Sequence, residues 1–209
     1  AVVPELIKIL AEDNKANKTI ILDELFILTV AMDETVMYRV KSLQGLYVEN
    51  LIHLQLAFLD GGDVYSDLLN HTETNVRRHA AMLLSMFCRP LRAAAALQQR
   101  YADEADLPTK AFLLWLWGLL PVSEDVYHKK EVLEEKQHKL LNIINAETNA
   151  KIRLAAALGW VSQQLGTAFG RYTSWPAEIE DVLLPIVLDY YNSDMETPQN
   201  ELFTTDKIS

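Results

Sequence analysis

Residues 71–88 read HTETNVRRHAAMLLSMFC. Polar turn formers give way to Val76-Arg77 and then to a small, apolar run with helical spacing. Whether this unit stands alone or recurs decides the architecture. It recurs. Asn75-Val76-Arg77-Arg78-His79-Ala80-Ala81-Met82-Leu83 has a counterpart in Lys151-Ile152-Arg153-Leu154-Ala155-Ala156-Ala157-Leu158-Gly159, with the branched residue, the arginine and the small pair in register. A weaker copy lies at Met37-Tyr38-Arg39-Val40-Lys41-Ser42-Leu43, and a degenerate one at Thr109-Lys110-Ala111-Phe112-Leu113-Leu114. The four cations Arg39, Arg77, Lys110 and Arg153 are separated by 38, 33 and 43 residues, the spacing that a two-helix repeat requires.

Outward from this unit the chain is a series of helical patterns joined by short polar turns, with no credible strand. The expected helices are Pro4 to Glu12, Thr19 to Met32, Glu34 to Phe58 with a break near Gly45 or Asn50, Val64 to Asn70, Asn75 to Cys88, Leu91 to Ala102, Pro108 to Leu120, Glu124 to Asn145, Ala150 to Leu165 and Pro176 to Tyr191. Pro4, Pro90, Pro108 and Pro176 sit where a helix can begin, because a first-turn residue needs no donor. Pro185 falls inside the last pattern and is expected to kink or divide it. Residues 1–191 read as one helical-repeat domain, and 192–209 as a polar, acidic, flexible tail.

The paired copies resemble the HEAT-repeat family, with its armadillo and bilin-lyase-like relatives, whose pattern is an acidic turn, Val-Arg and Ala-Ala. What the resemblance implies is an all-α fold, a right-handed α-solenoid of antiparallel helix pairs with about four to five repeats. In it the cation opens the second helix of each pair, and neighbouring repeats are tied together along the turns. Acids stand ready for that tie: Glu73 and Asp106 precede their cations by four residues, Asp33 and Glu147 by six. Small residues such as Ala80, Ala81, Ala155, Ala156 and Ala157 let helices approach closely. Phe112, Leu113, Trp115, Leu116, Trp117 and Leu119 cover all sides of one helix, which suits an element with repeats on both sides, and the two tryptophans read as core.

A chain of 209 residues that is 50% apolar can bury a substantial core. It begins at Ala1 without a leader pattern, so a fragment or processed chain is expected. The single Cys88, read as a buried thiol, suits a reducing compartment, and the expected location is cytoplasmic. The longest apolar run, Ala111 to Val122, falls short of the ~20 residues that span a bilayer. The net charge of −10 is uneven: from Thr173 onward eight acids face Lys207 alone, a balance of −7, leaving −3 for the other 172 residues. The acidic end is a poor match to phosphate backbones.

No chemistry-bearing constellation emerges. The five histidines include no closely spaced pair, so a closed zinc site is not expected. Glu135-x-x-His138 is half of a di-iron pattern without its second half, and HKKEVLEEKQHK reads as a solvated mixed-charge face. No nucleophile motif or glycine-rich phosphate loop occurs, so neither catalysis nor a cofactor is expected. The least bland feature is an arginine run: between Thr74 and Ala102 lie Arg77, Arg78, Arg89, Arg92 and Arg100, and no acid. In an antiparallel pair Arg77, Arg78 and Arg100 gather at one rim and Arg89 and Arg92 at the other. Arg78, Arg89, Arg92 and Arg100 are therefore the candidate partner-binding residues, and Arg39, Arg77, Lys110 and Arg153 the structural repeat positions. The expected function is a non-enzymatic protein or peptide interaction scaffold, self-standing or part of a larger solenoid or complex. The alternatives are a HEAT-like nucleic-acid binder or DNA glycosylase, and a bilin-lyase-like small-molecule binder.

Overall fold

The computed structural model describes residues 2–12, 17–39, 46–120, 129–166 and 177–195. They form the helices α1 (Val2–Ala11), α2 (Lys18–Arg39), α3 (Leu46–Asp60), α4 (Gly62–Leu68), α5 (Thr74–Phe87), α6 (Pro90–Asp103), α7 (Leu107–Leu119), α8 (Lys129–Ala146), α9 (Ala150–Gly166) and α10 (Ala177–Met195), and no strand occurs among the described residues. Helix starts have visible causes. Asp106 accepts from the Thr109 amide at the start of α7, and Asn149 accepts from the Lys151 and Ile152 amides at the start of α9. Pro90 opens α6 and Pro108 is second in α7, where no donor is missed. None of these helices is long and apolar enough to cross a membrane.

Packing follows chain order. Helix α2 packs on α5, α5 on α7, α7 on α9 and α9 on α10, while α4, α6 and α8 each pack on the helix that follows them. The burial pattern repeats from helix to helix. Val76, Ala80, Ala81 and Leu84 in α5, Thr109, Leu113, Leu114 and Trp117 in α7, and Ile152, Ala156, Ala157 and Trp160 in α9 are all buried. Each set stands in the same register to Arg77, Lys110 or Arg153, so one face of each helix is spent on its neighbours. Burying a single leucine such as Leu113 contributes about 2 kcal/mol.

Helices α7 and α9 approach to backbone contact. A β-carbon on Gly159 would sit 2.8 Å from Cα of Gly118, and one on Gly118 would come nearer still to Cα of Gly159. The two backbones touch at this crossing because neither residue has a side chain. The Gln163 amide, one turn further along α9, donates to the carbonyls of Gly118 and Leu120 and holds the end of α7.

Several expectations need correction. Helix α2 runs through Asp33 to Arg39 and the next begins at Leu46; Met32-Asp33-Glu34 holds no glycine or proline, so nothing there ends a helix. Arg39 consequently lies more than twenty residues into α2 and does not open a helix, unlike Arg77, Lys110 and Arg153. Helix α10 is not divided at Pro185. The carbonyl left without that donor belongs to Asp181, on an exposed stretch where water can serve it. The same helix continues to Met195, four residues into the stretch read as tail. Leu119 is 41% exposed, so α7 is not covered on all sides, and Cys88 is only half-buried. Pro176, Gly170 and His128 lie outside the described residues.

Candidate functional site

Three turns, before α5, α7 and α9, are built alike. His71, Glu104 and Glu147 each accept, through the side chain, the backbone N–H of the residue two positions later, at 3.1, 3.0 and 2.9 Å. Those residues, Glu73, Asp106 and Asn149, offer their carbonyls to the backbone N–H of Arg77, Lys110 and Arg153 at 3.2, 2.8 and 3.0 Å. Backbone and turn therefore recur at these three places with spacings of 33 and 43 residues. The side chains diverge. Arg77 is buried; its fork meets both oxygens of Glu104 at 2.8 and 2.9 Å, and its remaining nitrogen donates to the carbonyls of His71 and Thr72. Arg153 reaches the Ile144 carbonyl and the Asp189 carboxylate of α10. Lys110, a point charge without a fork, lies 5.1 Å from the centre of the Tyr101 ring. The side chain of Arg39 lies outside the described residues.

The arginine run is brought together as its spacing implies, but onto carboxylates. Arg100 and Arg77 share Glu104, while Arg78 donates to Thr109 Oγ1 at 2.8 Å and to Asp106 at 3.1 Å. Burial raises the Glu104 pKa, but hydrogen bonds from Arg77, the Asp106 amide and Arg100 outweigh it and hold the carboxyl below its usual range. At the other rim Arg92 bonds Asp63, and Arg89 is exposed. The rim of Arg77, Arg78 and Arg100 thus fastens α5 to the turn before α7.

A different surface has the form of a site. Helices α6 and α8 face each other across a groove whose floor is Leu114 and Trp117 of α7. Leu91, Ala94, Ala95, Gln98 and Tyr101 line one wall; Val132, Lys136, Lys139, Asn142 and Ile143 line the other. Three adjoining cavities of about 210, 320 and 340 Å³ run along it; the first two share Gln98, Trp117 and Lys139, and the last two share Tyr101, Asn142 and Ile143. The alanines on α6 keep its ridge low, which leaves room beside α8. Gln98 and Asn142 are exposed amides that can both donate and accept. Lys139 is paired with Glu135 at 2.8 Å. Trp117, read from the sequence as core, is buried and also forms the floor of this groove.

Lys136 is 7% exposed, donates to the Leu120 carbonyl at 2.6 Å and stands 5.3 Å from the centre of the Trp117 ring. Burial pushes its ammonium down to about 7 from an ordinary 10.5. Between those values the unfolded chain holds a proton that the folded chain has released, so this residue makes stability rise with pH, by at most ~1.4 kcal/mol per pH unit. Lys136→Met should remove that rise and keep the Leu120 carbonyl satisfied through Gln163. Denaturant midpoints of the two proteins from about pH 6 to about pH 10 read the difference; Cys88 and Tyr101, both raised by burial, titrate alike in both. Parallel profiles would show that Lys136 keeps its ordinary proton affinity.

Among the described residues no group of three or more His, Cys, Asp or Glu side chains is placed to hold a metal ion. Comparison of the chain with protein families, curated proteins and solved structures finds no match. The reading of function therefore rests on the groove and the recurring turns.

Proposed function

We propose that the chain is a non-enzymatic protein-interaction scaffold, a short HEAT-like α-solenoid whose α6–α8 groove takes a peptide segment of a partner. The observation that carries this reading is the groove itself: mostly apolar, floored by Trp117, edged by Lys139, Glu135 and Glu147, and provided with the amides of Gln98 and Asn142, which match the donor and acceptor of a peptide group. The solenoid part is supported by the turns at His71, Glu104 and Glu147 and by the burial register shared by α5, α7 and α9. On this reading the hairpins α4–α5, α6–α7 and α8–α9 are the repeats, and α1 to α3 and α10 flank them.

The rival readings have less to stand on. Nucleic-acid binding would need unpaired cations, and Arg77, Arg78 and Arg100 are engaged by Glu104 and Asp106. A bilin-like ligand would need one deep cavity in place of three small adjoining ones.

A displayed random-peptide library selected on the intact chain tests the proposal. The expected result is a converging sequence with an apolar anchor, whose affinity falls about tenfold or more on Ala95→Glu, a substitution on the exposed face of α6 that leaves the thermal midpoint unchanged. Failure to converge, or peptides indifferent to Ala95→Glu, would overturn it.

A further inference from the structure

Helix α10 is apolar on two opposite sides. Ile179 and Ile186 are buried, with Val182 and Leu183 packed against the same core. On the other side Leu184, Val187, Leu188 and Tyr191 are 51, 40, 52 and 60% exposed. Their spacing of three, one and three residues places them on one stripe, and Glu180 extends it by a turn. A cavity of about 360 Å³ lies between Glu180, Leu183, Leu184 and Val187. Packing on α9 uses one apolar side of α10; a second, contiguous one beside carboxylates marks a contact surface.

The charge around the stripe selects the occupant. Beside it stand the exposed carboxylates of Glu180 and Asp181, Asp189 being taken up by Arg153 of α9, and α10 itself has no lysine or arginine. A second copy laid against this face would set carboxylates against carboxylates, which is repulsive. An anionic membrane surface is repelled for the same reason, and helices that lie on membranes carry lysine and arginine on the polar face. What remains complementary is a helix with an aliphatic stripe flanked by cations. We propose that this face of α10 docks a basic amphipathic helix of a partner protein, aliphatic side chains lying on Leu184, Val187 and Leu188 and a lysine or arginine meeting Glu180. The surface shares no residue with the α6–α8 groove, and the inference stands independently of what fills that groove.

The probe is a fluorescent synthetic helix of about 18 residues with leucines at i, i+3, i+4 and i+7 and flanking lysines, titrated with the full chain by anisotropy. Saturable binding is expected, weakened about tenfold or more by Leu184→Ser with Leu188→Ser, and similarly by Glu180→Lys. Ala95→Glu should leave it unchanged, which separates this surface from the groove. A matching peptide with glutamates in place of the lysines, and one with the same lysines but a scrambled stripe, should bind at least tenfold more weakly. The serine changes fall on exposed positions, so an unaltered thermal midpoint shows that the fold is kept. Equal binding by the serine variant, or by the glutamate or scrambled peptide, would overturn the proposal. So would a dimer of the chain that the serine changes abolish, since the face would then belong to a second copy.

Discussion

Gly118→Ala is expected to lower the stability of the chain by about 3 kcal/mol, read as a reduced midpoint of denaturant unfolding with an unchanged slope. The new methyl group meets the backbone of Gly159, which has no rotamer to move aside. Relief requires α7 and α9 to separate, and that loosens the packing of their shared face, where Leu114, Trp117, Ala156 and Trp160 are buried. Alanine gains about 1 kcal/mol over glycine within a helix, so the steric cost exceeds the net loss by that amount. Gly159→Ala should behave alike. The double variant should lose less than the two single losses added together, because helices already forced apart admit the second methyl more easily. Additive losses, or a neutral Gly118→Ala, would mean that the two helices do not touch at this point.

Glu104→Ala should cost about 3–5 kcal/mol, more than a surface ion pair accounts for. Arg77 and Glu104 are both buried, and the carboxylate also accepts from Arg100 and from the Asp106 amide. Its removal leaves a buried guanidinium with only the His71 and Thr72 carbonyls and a long bond to the Thr74 hydroxyl, and frees the turn before α7. Glu104→Gln, which keeps the shape and one acceptor, should cost less. Because hydrogen bonding holds the folded carboxyl below its usual range, its contribution is present above the unfolded pKa of about 4.3 and is lost as pH falls through the lower folded value. The wild-type and Glu104→Gln stabilities should therefore converge in acid; a constant difference down to about pH 2 would remove the carboxylate from the account.

The recurrence of the helices was legible where several features coincided. Arg77 and Arg153 share a branched residue before them and an alanine pair after them, and the backbone places them alike. Lys110 was found by spacing and occupies the same backbone position, although its ammonium turns to Tyr101. Arg39 matched by spacing alone, and Val40-Lys41-Ser42 lacks the alanine pair; it lies far along α2 and opens no helix. Glu147 was found six residues before its cation, but Glu104 was missed because Lys110 was paired with Asp106, four residues away. Six residues is the distance that aligns His71, Glu104 and Glu147. The carboxylate partners of the arginine run went unseen for a related reason. The acid-free window closes at Ala102, one residue before Asp103-Glu104, and the partner of Arg77 stands 27 residues along the chain. Nothing local announces such a pairing. The groove left a fainter mark still: Ala94 and Ala95 read as ordinary helix formers, and no periodicity says on which side of Trp117 the neighbouring helices part.

The glycine contact between α7 and α9 also governs the groove floored by the neighbouring Trp117. Helix α7 is the floor on which α6 rests, and α9 is the support of α8, so the distance between the two supports sets how far the walls stand apart. A crossing with no side chains in it works as a fulcrum: one methyl group inserted there tilts the walls and alters the width of the groove, although neither glycine lines it.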